Sequence, residues 1–258
     1  MTVNTAAIAV LIGSFLIMIL LRFPIAYAVA ISALLCLKYQ GLPLGTISQQ
    51  MIKGISSFSL MAVPFFITMG VLMGSGGISD KLLNLADACV GWMTGGLAMV
   101  NIVASYFFGG ISGSAIADVS SIGALLIPMM KDSGYDTDYA VDVTITSACQ
   151  GLIIPPSHNM IIFAVSAGGV SVGQLFLGGM LPGVLLGMAL MIISYVIAVK
   201  RGYPKGAKIS FKEAIKIASS AILGLLTAVI IIGGVIGGIF TATESAAVAC
   251  LYAFIVTF

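Results

Sequence analysis

Between Phe107 and Ala115 an apolar chain gives way to Gly109-Gly110-Ile111-Ser112-Gly113-Ser114, and this run limits the fold more than any other stretch. Leu97–Phe108 before it and Ala115–Met130 after it both read as helices. Neither reaches the roughly 20 residues that a helix needs to cross a bilayer core. Two such arms predict a hairpin over 97–130 that enters a membrane, turns and leaves on the same side. Irregular backbone survives at membrane depth only where protein buries it or where it lines a watery cavity. The polar turn is therefore the first candidate for a site.

The membrane reading rests on the rest of the chain, 60% hydrophobic and only 8% charged. Soluble domains carry about a quarter charged residues. A net charge of +2 gives no argument for a nucleic-acid partner. The first apolar run lacks a basic n-region and a small-residue cleavage site, so it reads as a spanning helix and not as a signal peptide. Cys36, Cys89, Cys149 and Cys250 stand singly in apolar stretches, and His158 is the only histidine. That pattern predicts four packed thiols and no metal centre built on Cys or His.

In chain order, Thr5–Leu21 and Pro24–Leu37 read as helices joined by Arg22-Phe23, followed by an interfacial stretch over 41–57 and a third helix, Leu60–Met73. We group 1–75 as scaffold helices. The segment 76–95 reads as an amphipathic surface helix with Ser79 as its N-cap and Trp92 as an interfacial anchor. Residues 96–168 group the hairpin with a helix over 139–167 broken at Pro155-Pro156. Two prolines in succession remove two backbone donors and clash with the preceding turn. A scaffold helix over 171–199, a basic loop over 200–216 and an apolar pair over 217–258 complete the chain.

Lys200, Arg201, Lys205, Lys208, Lys212 and Lys216 are six of the eleven basic residues, which makes their loop cytoplasmic by the positive-inside rule. Counting back, the hairpin opens from the cytoplasm and the N-terminus lies outside. Arg22 agrees with this topology; Lys38 and Lys53 run against it. The joint Arg22-Phe23-Pro24 with its Ala- and Val-rich helix is matched by Phe240-Thr241-Ala242-Thr243-Glu244 and the helix after it. On opposite sides of a membrane, the two suggest that an inverted repeat begins near 217 and is cut short, with the chain part of a longer protein.

A hairpin tip facing a broken helix is how secondary transporters bind ions and substrates at mid-membrane. Ser112, Gly113 and Ser114 offer N–H groups and hydroxyls at a helix start, where the dipole favours anions. Pro155 and Pro156 free the carbonyls of Gly151 and Leu152, while Ser157, His158 and Asn159 begin the second half-helix. Asp118, one turn past the tip, is either a coupling carboxylate, since a charge there is costly without a role, or a partner for the first turn of its own arm. Asn101 reads the same two ways, and Glu244 as a helix-start carboxylate. Gly110-Ile111-Ser112-Gly113 also matches the GxSG of rhomboid-type intramembrane proteases, with His158 as the only base. The Trp-Arg pair of those enzymes is missing, because Met93 follows Trp92.

The sequence resembles the N-terminal portion of the large (DctM-like) membrane subunit of tripartite ATP-independent periplasmic (TRAP) transporters. The resemblance lies in Val63-Pro64-Phe65-Phe66-Ile67, Gly110-Ile111-Ser112-Gly113-Ser114 with Ile122-Gly123 and Ile127-Pro128, Leu152-Ile153-Ile154-Pro155-Pro156-Ser157, and Gly238-Ile239-Phe240-Thr241 with Thr243-Glu244. It implies an all-α polytopic fold of the ion-transporter type, with inverted repeats, re-entrant hairpins and an elevator mechanism. It also implies non-enzymatic, sodium-coupled uptake of an organic acid, such as a C4-dicarboxylate, a sialic acid or a sugar acid, across the bacterial inner membrane. The implied partners are a periplasmic substrate-binding protein and a small DctQ-like membrane subunit, a separate chain here because Met1 directly precedes the first helix. Residue by residue, Gly110, Ser112, Gly113, Ser114, Gly151, Pro155 and Pro156 would bind sodium. Ser114 and Ser157 would lie at the substrate, with His158 and Asn159 where the motif is looser. The rivals are a stand-alone sodium/anion symporter of the same fold and a passive channel or scaffold subunit.

Overall fold

A computed structural model describes residues 4–207 and 209–258, apart from the side chain of Phe211. The first three residues of the 1–75 group and Lys208 of the basic loop lie outside the described residues. The described chain is helical, and it divides into two units after Ser57.

The first unit holds α1 (Thr5–Leu20), α2 (Ile25–Tyr39) and α3 (Gly45–Ile55). Asn4 starts α1 by accepting the Ala7 N–H, and Arg22, with φ at 61°, turns the chain into α2. Small residues let α1 and α2 approach: Ala7, Ala28 and Ser32 are buried, and the Cys36 thiol reaches the Ala7 carbonyl at 3.4 Å. The leucines and isoleucines of both helices point outward, as lipid-facing side chains do.

The second unit begins with a 3₁₀ turn, Phe58–Met61, that leads into α4 (Ala62–Ser75), then α5 (Ile78–Val90) and α6 (Gly96–Ser112). After the tip come α7 (Ala115–Asp118), a π turn over Val119–Gly123 and α8 (Ala124–Asp132). The broken helix is α9 (Thr137–Ala148), a 3₁₀ turn over Cys149–Leu152 and α10 (His158–Ala167). The unit closes with α11 (Val172–Arg201), α12 (Phe211–Ile236) and α13 (Ala242–Thr257). Phe58–Ser75, α11 and Lys212–Ile236 of α12 are apolar and, at 18, 30 and 25 residues, long enough to cross a bilayer. The all-α membrane class expected from the sequence is what these elements form.

Thirteen of the seventeen residues of α6 are buried, and the other four, Leu97, Val103, Tyr106 and Phe107, are half-buried, as suits a helix apolar all round. It runs parallel to α9: Asn101 Nδ2 donates to Thr144 Oγ1 at 2.7 Å, and two turns later Gly109 meets Gly151. Helix α11 runs the other way, with Ala198 against Gly95 at one end and Gly179 against Met160 at the other. The leucine face of α5, Leu82 and Leu85 with Ala86, is buried where the helix packs on α6 and α12. Ser79 lies inside α5, and the left-handed Gly77 starts that helix, correcting the expected N-cap.

Helices α4 and α13 form a parallel pair, tied at one end by Thr243 Oγ1 donating to the Phe58 carbonyl and at the other by Thr257 Oγ1 donating to that of Leu72. Ala246, Ala249 and Ala253 of α13 are buried in one core with Phe66, Met69 and Met73 of α4. Alanines at this spacing let helices approach closely, the packing that replaces the hydrophobic drive inside a membrane. Thr241 and Glu244 cap α13 reciprocally, so Glu244 serves the helix start, as its position suggested.

Tyr135, Tyr139 and Tyr203 cluster where α9 begins and α11 ends. Asp136 accepts hydrogen bonds from the Tyr203 hydroxyl at 2.8 Å and from Arg201 at 2.6 Å. The Tyr203 hydroxyl, then Arg201, hold the Asp136 carboxyl below its ordinary range. A carboxyl depressed in the folded state adds stability that is present above its unfolded pKa and is lost as pH falls through the folded one. We predict that acid below about pH 4 loosens this junction. Asp136→Asn removes that pH dependence, measured as thermal stability in detergent across a pH series.

Candidate functional site

The glycine run is less of a turn than it reads. Gly109 and Gly110 stay helical, so the first arm ends at Ser112 and not at Phe108. The reversal falls on Gly113 alone, with φ at 61°, a conformation that side chains with a Cβ disfavour. Ser114 follows in extended conformation and caps α7 by accepting the Ala117 N–H at 3.4 Å. The Ser112 hydroxyl accepts the Ser114 N–H at 3.3 Å and faces the Ser114 carbonyl at 3.4 Å. The tip is thus closed by its own serines, each hydroxyl oxygen keeping acceptor capacity.

The break is organised from both sides. Pro155 and Pro156 lack the N–H groups that Gly151 and Leu152 would receive in a continuous helix. The Ser157 hydroxyl replaces one of them, donating to the Leu152 carbonyl at 2.7 Å. Leu152 is therefore occupied, contrary to the free carbonyl expected, and Gly151 keeps only its missing donor. Ser157 is fully buried in the N-cap position of α10, but its hydroxyl is turned back across the break and does not cap the helix.

Tip and break touch through backbone. A methyl on Gly113 would sit 2.7 Å from the Pro156 carbonyl oxygen and 3.3 Å from the His158 nitrogen. One on Gly109 would lie 2.6 Å from the Gly151 Cα, and one on Gly110 3.6 Å from the Pro155 oxygen. Glycine is what lets two chains meet this closely. The structure thus gathers Gly110, Gly113, Gly151, Pro155, Pro156, Ser157 and the backbone of His158 at one crossing. Asn159, one residue further along α10, has no side-chain hydrogen bond to the tip among the described residues.

Cavities open on both sides of the crossing. One, of about 470 Å³, is walled by Phe66, Ile67, Gly70 and Val71 of α4 and by Ser112, Ser114, Ser121 and His158. The other, of about 520 Å³, lies against Tyr106, Gly110, Ile154 and Pro155 and is closed by apolar residues of α12. The first can hold a polar ligand against the serines and the α7 start; the second is almost wholly apolar. His158 Nε2 is buried without a partner, its ring centroid 6.0 Å from that of Phe66. The Ser112 hydroxyl bonds only within the tip and makes none to His158, so the pair a serine protease needs is not formed.

Asp118 is almost fully buried beside Ser105 of α6, and neither carboxylate oxygen has a hydrogen-bond partner. It stands in the first turn of its arm, whose N-cap is Ser114. Asn101 has a clear structural contact through Thr144, while its Oδ1 is unpartnered. Sequence reasoning passed over Gln150, fully buried one residue before Gly151. The signal was a long amide inside an otherwise apolar run. Among the described residues no cluster of His, Cys, Asp or Glu is arranged to hold a metal.

Residues 12–258 match the model of the family described as "Tripartite ATP-independent periplasmic transporter, DctM component". The chain belongs to this family. Relatives of this DctM-family chain include a sialic acid TRAP transporter large permease protein of Vibrio cholerae, 48% identical over 80% of this chain and 48% of the relative. A C4-dicarboxylate TRAP transporter large permease protein of the same organism is 39% identical over 97% of this chain and 55% of the relative. An uncharacterized protein of Salmonella typhimurium is 40% identical over 95% of this chain and 57% of that protein. The chain spans about half the length of the curated relatives it matches. The family description names a transporter component, which is a class of transport proteins and not of enzymes.

The glycine contacts give a direct test. We expect Gly113→Ala to cost about 1–3 kcal/mol, from the left-handed backbone and the Pro156 oxygen together. Gly109→Ala should cost a similar amount through overpacking. Gly178→Ala, with nothing within 4 Å, serves as the neutral control. Thermal unfolding of the purified variants measures all three.

Proposed function

We propose that this chain is the first part of the large transmembrane subunit of a sodium-coupled TRAP transporter that imports an organic acid. The observation that carries the proposal is the seating of the Gly113 tip on the Pro155-Pro156 break, with hydroxyls, carbonyls and a helix start converging beside a cavity. Carbonyl and hydroxyl oxygens suit a hard monovalent cation, and the α7 start suits a carboxylate. In this reading Gly110, Ser112, Gly113, Ser114, Gly151, Pro155 and Pro156 hold sodium. Ser114, Ser157, His158 and Asn159 meet substrate, and Asp118 couples the two.

The names of the relatives support an organic acid as substrate: sialic acid, C4-dicarboxylate and 2,3-diketo-L-gulonate permeases all match at 33–48% identity. A periplasmic binding protein would deliver it and a small membrane subunit would complete the complex, as the family description implies. We read 97–130 as a re-entrant hairpin opening from the cytoplasm, in an inner-membrane protein with a periplasmic N-terminus. The helix directions within the second unit support that topology, with α4 parallel to α13 and α9 opposed to α11. The elevator reading has the hairpin and the broken helix moving as one body. Gly179, Gly183 and Gly187 of α11, the expected scaffold helix, are where that body bears on it.

The test is uptake into proteoliposomes by the full-length protein with its small subunit, using labelled organic acids with and without sodium and the binding protein. Uptake that requires both is the expected result. Ser112→Ala and Pro156→Ala should then lower sodium-driven uptake at least tenfold, by removing a ligand and by rebuilding the broken helix. Uptake with sodium but without the binding protein would favour a stand-alone symporter. Uptake indifferent to sodium would refute the coupling.

A further inference from the structure

We infer that Gln150 is the positioning residue of the break: it fixes the peptide that carries the Gly151 carbonyl, and Gly187 is the seat that holds it. The inference rests on the assignment above of Gly151 to a sodium site. A carbonyl freed to bind an ion has no hydrogen-bond donor of its own to orient it, so its direction must come from its neighbours. On one side of Leu152 the anchor is the Ser157 hydroxyl. On the other side of Gly151 it is Gln150.

Gln150 is held at three points. Its backbone carbonyl accepts from two donors, the Ile153 N–H at 3.0 Å and the Ile154 N–H at 2.8 Å, which closes the turn into the prolines. Its side-chain Nε2 donates to the Ile102 carbonyl of α6 at 3.4 Å. That bond crosses from the broken helix to the first arm of the hairpin. Its Oε1 lies over Gly187 of α11, where an added methyl would come within 2.7 Å of it. The side chain is fully buried and Oε1 accepts no hydrogen bond. A leucine or methionine would fill this place more cheaply, because a buried amide oxygen without a donor costs stability. What the amide adds over such a residue is the donor to the Ile102 carbonyl.

The neighbours follow from this anchor. Gly151, without a side chain, rests its Cα against Gly109. Ile154 packs over Gly183, one turn before Gly187 on α11, and over Gly110 of the first arm. Gln150 thus joins the first arm, the break and α11 one residue away from the proposed ion ligand. It does not itself need to touch the ion.

The experiment uses the full-length protein with its small subunit, reading sodium binding as the shift in thermal unfolding on adding NaCl against choline chloride. Gln150→Met keeps the volume and removes the donor. Gly187→Ala keeps the amide and displaces it. Each should raise the sodium concentration for half-maximal stabilisation roughly tenfold, as loss of a group that orients metal ligands does. Gln150→Ala removes the group that an alanine at 187 would strike. Gly187→Ala added to it should therefore weaken sodium binding by less than twofold more. Variants that unfold at lower temperature without sodium, yet keep the wild-type sodium concentration dependence, would show that Gln150 is packing alone and would overturn the inference. Additive effects of Gly187→Ala and Gln150→Ala would overturn the seat. A wild-type protein that sodium does not stabilise would overturn the sodium site as well, and the wild-type arm separates the two failures.

Discussion

Two backbones in contact inside an apolar helical body are the constraint on which the rest of the second unit depends. Gly109 against Gly151 and Gly113 against Pro156 bring the tip and the break together without intervening side chains. Peptide groups so placed must find partners locally or remain available to a ligand. The serines at 112, 114 and 157 satisfy part of that demand from within. The remaining acceptors, and the start of α7, are the groups that the proposed ion and acid sites draw on.

The same economy governs the packing around the crossing. Helix α11 offers glycine at 179, 183 and 187 where the break presses on it, and α13 offers alanine at 246, 249 and 253 where α4 does. Large side chains are placed opposite, Ile154 and Met160 in one case and Phe66, Met69 and Met73 in the other. Each seam joins a small-residue stripe to a row of knobs. In a bilayer this shape fit and the dispersion it brings do what burial from water does elsewhere.

Much of this was legible in the sequence, for identifiable reasons. The low charge, the short arms on either side of a Gly-Ser run and the double proline each have one physical reading at membrane depth. Together they gave the helix–turn–helix, the broken helix and their pairing as a candidate site. What escaped depended on contacts that no local pattern encodes. Gly109 and Gly110 read as a turn because glycine favours turns, yet they lie inside α6, where Gly109 makes room for Gly151. Ser79 reads as a cap, but Gly77 supplies the left-handed residue that starts α5. The Leu152 carbonyl reads as free, until the Ser157 hydroxyl is seen folded back upon it. Gln150 carried no motif at all, and only the meeting of three helices gives it meaning.

The burial of α6 bears on how the protein meets its lipid. A helix facing the bilayer settles at a depth that bilayer thickness helps to decide, by tilt or by local thinning. Helix α6 has no such freedom, because thirteen of its seventeen residues are already enclosed by neighbouring helices of the same unit. Within this unit the position of the tip is therefore set by helix against helix. A load on the exposed helices of the unit would have to break those enclosing contacts before it moved the crossing of tip and break.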